Sequence, residues 1–190
     1  VPKSRYEEAK KLIKAEMAAI KVGRPDDPSV RMGPMVSAAQ KQRVQRYIQL
    51  ALDEGASLLC GGLGSPNDLD KGYFVNPTVF VDVDNSMRVA QEEVFGPLLC
   101  VIPYEDEAEA IAVANDSPFG LSGAVWSSNE SRAMRVARQI QTGQVFINGA
   151  GFNPEAPFGG FKQSGNGREL GLDGLNEFVE LKAIQMKAAR

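Results

Sequence analysis

Glu92-Glu93-Val94-Phe95-Gly96-Pro97, running into Leu98-Leu99-Cys100-Val101-Ile102, decides how this chain is read. The second stretch is an apolar run of the length expected for a strand covered on both faces. A helical turn is expected over Met87 to Glu92. A carboxylate and an aromatic ring therefore stand between a helix end and a strand, where an α/β fold builds a site.

Outward from this point, strands and helices alternate. Thr78 to Val83 reads as a strand, and Ser57 to Cys60 as another, with a Gly-, Asp- and Asn-rich loop from Gly61 to Gly72 between them. Before these, Ser37 and Gln40 make a capping-box pattern, and Val44, Tyr47, Ile48 and Ala51 mark the buried stripe of a helix that stops at Gly55. Tyr6, Ala9, Leu12, Ile13, Met17 and Ile20 give an earlier helix, with Glu7 and Lys11 paired one turn apart and Gly23-Arg24-Pro25 as its end. On the other side, a helix is expected over Glu105 to Asn115 and a strand over Ser122 to Trp126. A second helix capped by Ser127 and Glu130 runs through about Ile140, followed by a strand over Gln144 to Ile147. After a long Gly- and Pro-containing loop from Asn148 to Gly167, Phe178 to Met186 reads as a strand with one covered and one wet face. Such an edge tends to pair with another chain or with a missing part of its own. The pattern predicts an α/β fold of three layers, with a mainly parallel sheet, helices on both faces and a C-terminal edge strand. One core is expected over 1–177, with 178–190 as a separate closing segment.

The chain has 190 residues, a net charge of −3 and charges of mixed sign. That balance offers no basic face for nucleic acid and no polybasic patch for a membrane surface. No apolar run reaches the ~20 residues of a membrane helix, and Val1 is not followed by a signal-peptide pattern. Cys60 and Cys100 make neither a disulfide framework nor a zinc spacing. They read as small buried hydrophobes in a reducing, intracellular, cytoplasmic setting, and no histidine exists to activate either as a nucleophile.

Several side chains could carry chemistry. Glu93 can accept two hydrogen bonds from ribose hydroxyls, with Phe95 holding a nicotinamide ring from the side; the alternative is a solvated helix-end acid beside a core phenylalanine. Gln40 and Arg43 share a helix face, either toward a ligand or as plain surface polarity. The 148–167 loop permits close backbone approach. Gly165-Asn166-Gly167-Arg168 follows a loop rather than a strand and misplaces the third glycine, so it is not a dinucleotide loop.

In register, Met32-Gly33-Pro34-Met35-Val36-Ser37 with Gln40, Asn76-Pro77-Thr78-Val79-Phe80, Glu92 to Pro97, Ala114-Asn115-Asp116-Ser117-Pro118-Phe119-Gly120-Leu121 and Pro157 to Gly171 resemble the C-terminal part of the catalytic domain of NAD(P)-dependent aldehyde dehydrogenases. The resemblance runs from about Tyr6 to about Lys187. It implies that Glu93 contacts the nicotinamide ribose, that Phe95 flanks the ring, and that Gln40 and Arg43 stand near the adenine ribose, Arg43 where lysine is frequent. It makes Phe158 and Phe152 walls of an aldehyde tunnel, with core filling the alternative for Phe152. Glu169 would serve a proton relay or pair with Arg168, whereas Asn115 reads as a turn residue. The resemblance further implies that the cofactor-binding domain, the nucleophilic cysteine and the general-base glutamate precede this sequence. The intact parent would use NAD or NADP on an aldehyde, while the chain alone would bind no cofactor and be inactive. The resemblance places the terminal segment in an oligomerisation sheet, so the chain would carry a C-terminal oligomerisation-type strand and form a homo-oligomer through 178–186. The alternative is a noncatalytic α/β module whose main property is self-association.

Overall fold

The computed structural model describes residues 1–66, 69 and 71–188. Part of the 61–72 loop and the last two positions of the 178–190 segment lie outside the described residues. The chain divides into two compact units, Val1–Ala110 and Ile111–Arg190.

In the first unit, α1 (Tyr6–Ala18) and α2 (Ala38–Asp53) precede β1 (Ser57–Cys60) and β2 (Thr78–Val81), followed by a short α3 (Arg88–Gln91) and β3 (Leu98–Cys100). The sheet order is β1-β2-β3, with β1 antiparallel and β3 parallel to β2. Every residue of β2 is buried, because successive side chains point to opposite faces and both faces are covered. Phe80 joins Val44, Ile48 and Ala51 of α2, whereas Val79 and Val81 join Tyr6, with Ile13 and Met17 of α1 against them. The three layers with helices on both faces follow from that alternation. Burying a side chain such as Phe80 or Ile48 stabilises the fold by about 1.5–3 kcal/mol.

Some local expectations are corrected. The apolar run at 98–102 was expected to be the strand covered on both faces, yet Leu99 is 48% exposed. β3 lies at the sheet edge, and β2 is the enclosed strand. The first helix stops at Ala18, well before Gly23, because Val22 is drawn into a bridge with Met32. Glu7 pairs with Lys10, three residues on, rather than with Lys11. The second helix behaves as its sequence predicts. Ser37 accepts the Gln40 N–H at 3.2 Å, and Gly55 follows the last turn at φ 95°, a left-handed conformation that glycine adopts without strain.

Helix α4 (Glu107–Asn115) leads into the second unit, which contains β4 (Phe119–Gly120), β5 (Ser122–Val125), α5 (Glu130–Ala137), β6 (Gln144–Ile147), β7 (Phe161–Lys162) and α6 (Gly171–Asn176). β5 and β6 run parallel around α5, whereas β4 and β7 pair antiparallel, so the α/β fold carries mixed sheets. Helix α5 is capped by Asn129, whose side chain accepts the Arg132 N–H at 2.9 Å, and not by Ser127. Ser127 is occupied one step earlier, where its hydroxyl accepts the Asn129 N–H and its main chain exchanges two bonds with the Asn148 amide. Residues 179–188 form no regular element. The alternating pattern of 178–186 is present, but a strand exists only through a ladder partner, and no described strand pairs with it.

Phe80→Ala is expected to cost about 3–5 kcal/mol in urea unfolding, through lost burial and a cavity between β2 and α2. Leu99→Ala is expected to cost less than about 1 kcal/mol, since much of that side chain already meets water. Equal losses would contradict the assignment of β2 as the enclosed strand.

Candidate functional site

The loop between α3 and β3 is held by one face of α2. Val94 is buried in the core that contains Val44, Ile48 and Phe80, so its neighbours Glu93 and Phe95 point to the surface. The Gln40 amide, half of an expected capping box, does not turn back on its own helix. Its Nε2 donates to the carbonyl oxygens of Val94 at 3.0 Å and Phe95 at 2.6 Å. One turn on, Arg43 donates through Nε to the Val94 carbonyl at 3.3 Å and through Nη2 to the Glu93 carbonyl. One further turn on, the Tyr47 hydroxyl donates to Glu92 Oε2 at 2.6 Å. Arg88 completes the grip on Glu92, with Nε to Oε1 at 2.6 Å, and the Arg43 guanidinium lies 5.0 Å from the Tyr47 ring centroid.

The four positions expected to face a cofactor, Glu93, Phe95, Gln40 and Arg43, are thus brought together, but in two different states. Gln40 and Arg43 are engaged with loop carbonyls. The Glu93 carboxylate is exposed, and no described residue hydrogen-bonds to it. Phe95 is 77% exposed and sits at φ 55°, a left-handed conformation that an aromatic residue adopts only at a cost of about 1–2 kcal/mol. Gly96 follows because a Cβ there would overlap the fully buried Val44 side chain. Sequence reading missed Glu92, Tyr47 and Arg88 as members of this cluster. The Arg88–Glu92 spacing of one helical turn was the signal that could have found them.

Electrostatics separate the two adjacent glutamates. The Arg88 hydrogen bond, and then the Tyr47 hydroxyl, hold the Glu92 carboxyl down at about 2. The same contact with Glu92 pushes the Tyr47 phenol above its ordinary value. Burial pushes the Cys100 thiol up to about 11 and raises that of Cys60, so neither is a thiolate at neutral pH.

In the second unit, Phe158 and Glu169 are joined by a two-way backbone pair, each N–H donating to the other's carbonyl at 2.7 Å. Phe152 meets Phe158 edge-on with ring centroids 6.1 Å apart, which brings the two expected tunnel walls together. A cavity of about 290 Å³ lies beside them, lined by Leu121, Phe158, Arg168, Glu169 and Phe178 among others, and Phe152 is not among them. Arg168 does not pair with Glu169. It donates to the carbonyls of Gly160 and Gly167 at 3.1 and 2.7 Å and lies over the Phe161 ring. The Glu169 carboxylate is exposed. Asn115 is a helix-end tie, accepting the Gln141 N–H and donating to the Gln139 carbonyl, both at 2.8 Å. Among the described residues, no group of His, Cys, Asp and Glu side chains could hold a metal ion, and no helix is long and apolar enough to cross a membrane.

Fold and loop together define an α/β protein that presents a free carboxylate and an exposed ring on a braced turn. Comparison with known proteins gives its kind: residues 1–184 match the aldehyde dehydrogenase family, and the chain belongs to that family. A putative aldehyde dehydrogenase of Staphylococcus saprophyticus is 50% identical over 184 residues, covering 97% of this chain and 39% of the relative. A 3-succinoylsemialdehyde-pyridine dehydrogenase from a Pseudomonas species is also 50% identical, with the same coverage. Among solved structures, a mutant of aldehyde dehydrogenase C from Pseudomonas syringae, in complex with NAD+ and octanal, superimposes with a TM-score of 0.95 at 45% identity. It covers 97% of this chain and 38% of that one. A Mycobacterium tuberculosis aldehyde dehydrogenase complexed with NAD+ gives a TM-score of 0.91 at 48% identity, covering 94% of this chain and 37% of that one. The chain therefore spans about 39% of the length of the curated relatives it matches.

Two outcomes are expected. In a carbon-detected titration, the Glu92 carboxyl should protonate near pH 2, and Tyr47→Phe should move it back toward the ordinary 4.5. Because the folded value is the depressed one, the contribution of Glu92 is fully present above about 4.5 and is lost as pH falls through about 2. An unshifted Glu92 would contradict the clamp. Phe95→Gly should unfold within about 1 kcal/mol of the parent sequence, because relief of the left-handed conformation offsets the added chain entropy. A loss of about 3 kcal/mol would mean that Phe95 is a core residue.

Proposed function

We propose that this chain is the C-terminal part of the catalytic domain of an NAD(P)-dependent aldehyde dehydrogenase, and that the intact parent oxidises an aldehyde to a carboxylic acid. The observation that carries the reading is the pairing of an exposed, unengaged Glu93 carboxylate with an exposed Phe95 ring on one braced loop. Such a pair fits a nicotinamide ribose: the two carboxylate oxygens can each accept from one of two vicinal hydroxyls, while the ring limits tilt of the base. The bound nicotinamide supplies the hydride acceptor. Gln40 and Arg43 belong to the same cofactor-side cluster, Phe158 and Phe152 line the aldehyde side, and Glu169 serves a proton relay there.

The nucleophilic cysteine and the general-base glutamate lie outside these 190 residues in this reading, and the chain alone neither binds the cofactor nor turns over aldehyde. Two features support that: both thiols are held protonated at neutral pH, and the sequence has no histidine. Cys60 and Cys100 are both free, which fits a reducing, cytoplasmic setting. A second reading, favoured by a different observation, is self-association. Val179 and Leu181, which share one face of the alternating 178–186 segment, are exposed, Leu181 to 99%. A strand from a second copy would pair with the backbone edge of this segment and make it part of a sheet that covers that face.

The test is a calorimetric titration of NAD+ into the intact dehydrogenase that contains this sequence. Glu93→Gln is expected to weaken binding roughly tenfold, as loss of charge-assisted hydrogen bonds to two hydroxyls requires. Unchanged affinity would remove the ribose contact. The 190-residue chain alone should form no NADH from an aldehyde, and turnover by it would overturn the fragment reading.

A further inference from the structure

We infer that the α2 face carrying Gln40, Arg43 and Tyr47 is a positioning device that sets the register of residues 92–95 and thereby aims Glu93 and Phe95, with Glu92 as its anchor. The inference rests on the proposed ribose and ring contacts of Glu93 and Phe95.

The geometry is that of a rack. Positions 40, 43 and 47 are spaced by three and four, so their side chains stand in a row along one helix face. They engage the loop in antiparallel order: Tyr47 takes the carboxylate of residue 92, Arg43 the carbonyls of 93 and 94, and Gln40 those of 94 and 95. Four consecutive residues are thus gripped by three side chains. A slip by one residue would carry Val94 out of the core and turn Glu93 and Phe95 inward.

Stability alone does not account for this arrangement. The Glu93 and Phe95 carbonyls lie at the surface, where water would satisfy them without immobilising any side chain. Fixing a glutamine and an arginine there sacrifices rotamer freedom, and the loop they fix holds an aromatic residue at positive φ. Spending order and strain on an exposed turn is the signature of preorganisation for a ligand. The two neighbouring glutamates divide the work. Glu92 is neutralised within the protein by Arg88 and Tyr47, which leaves Glu93 as the free acceptor.

The experiment uses nitrogen-15 relaxation on the 190-residue chain and NAD+ titration of the intact dehydrogenase, each with Tyr47→Phe, Glu92→Gln and Glu93→Gln. In the chain, Tyr47→Phe and Glu92→Gln should lower the amide order parameters of residues 93–96 from about 0.85 toward 0.6, with those of Ile48 and Phe80 unchanged. Glu93→Gln should leave all of them unchanged. In the dehydrogenase, the first two substitutions should weaken NAD+ binding roughly threefold to tenfold, the range for one lost hydrogen bond, without altering the aldehyde KM. A loop that stays rigid, a core that loosens equally, or a loosened loop with undiminished NAD+ affinity would each overturn the inference. If Glu93→Gln leaves affinity untouched, the ribose reading fails on its own, whatever the loop does. Tyr47→Phe removes a single oxygen and Glu92→Gln keeps the size of the side chain, so the two reach the same loosening from opposite sides of one hydrogen bond, and either serves should the other fail to fold.

Discussion

Side-chain N–H donors from one helix, closing on the carbonyl oxygens of Glu93, Val94 and Phe95, are the constraint on which the candidate site depends. A turn between a short helix and an edge strand has few backbone partners of its own. Left to water, residues 93–96 would sample several conformations, and the ring of Phe95 would relax from its left-handed backbone. Gln40 and Arg43 replace that freedom with one geometry. The cost falls on α2, which is itself secured by burial of Val44, Ile48 and Ala51.

The same helix therefore serves two purposes through two faces. Its apolar stripe closes the core over Phe80 of β2, and its polar edge holds the loop. Val94 connects them, because it enters that core while its carbonyl accepts from both Gln40 and Arg43. Gly96 allows the approach, since any side chain there would displace Val44. Packing in the interior and presentation at the surface are coupled through a few ångströms of main chain.

Much of this was legible in the sequence. The apolar stripe of α2, its Ser37 cap and the β1, β2 and β6 strands follow from periodicity and capping, which are local signals. The family could be read from motifs in register, and the expected cofactor-side residues do cluster. What could not be read depended on distant partners. Gln40 bonds to residues 54 and 55 positions away, and nothing local distinguishes that from the back-turned capping box it resembles. Asn129 displaced Ser127 as a cap because Ser127 was already bound to Asn148. The short β7 and α6 fell within or just after a glycine-rich stretch that gives no period, and α6 starts after Leu170 at φ 64°. Phe178 to Met186 carries a strand pattern without a described partner to make it a strand.

In the proposed reading the braced loop leaves Glu93 free for a ligand, while Glu92 is held within the protein by Arg88 and Tyr47. The most direct measurement is the backbone torsion of Phe95 in the 190-residue chain, from three-bond couplings and cross-correlated relaxation in solution. A positive φ near 55° is expected, with the ring in solvent. An ordinary negative φ at that residue would contradict the clamp, because the carbonyls of Glu93 to Phe95 could not then all face the donors of α2.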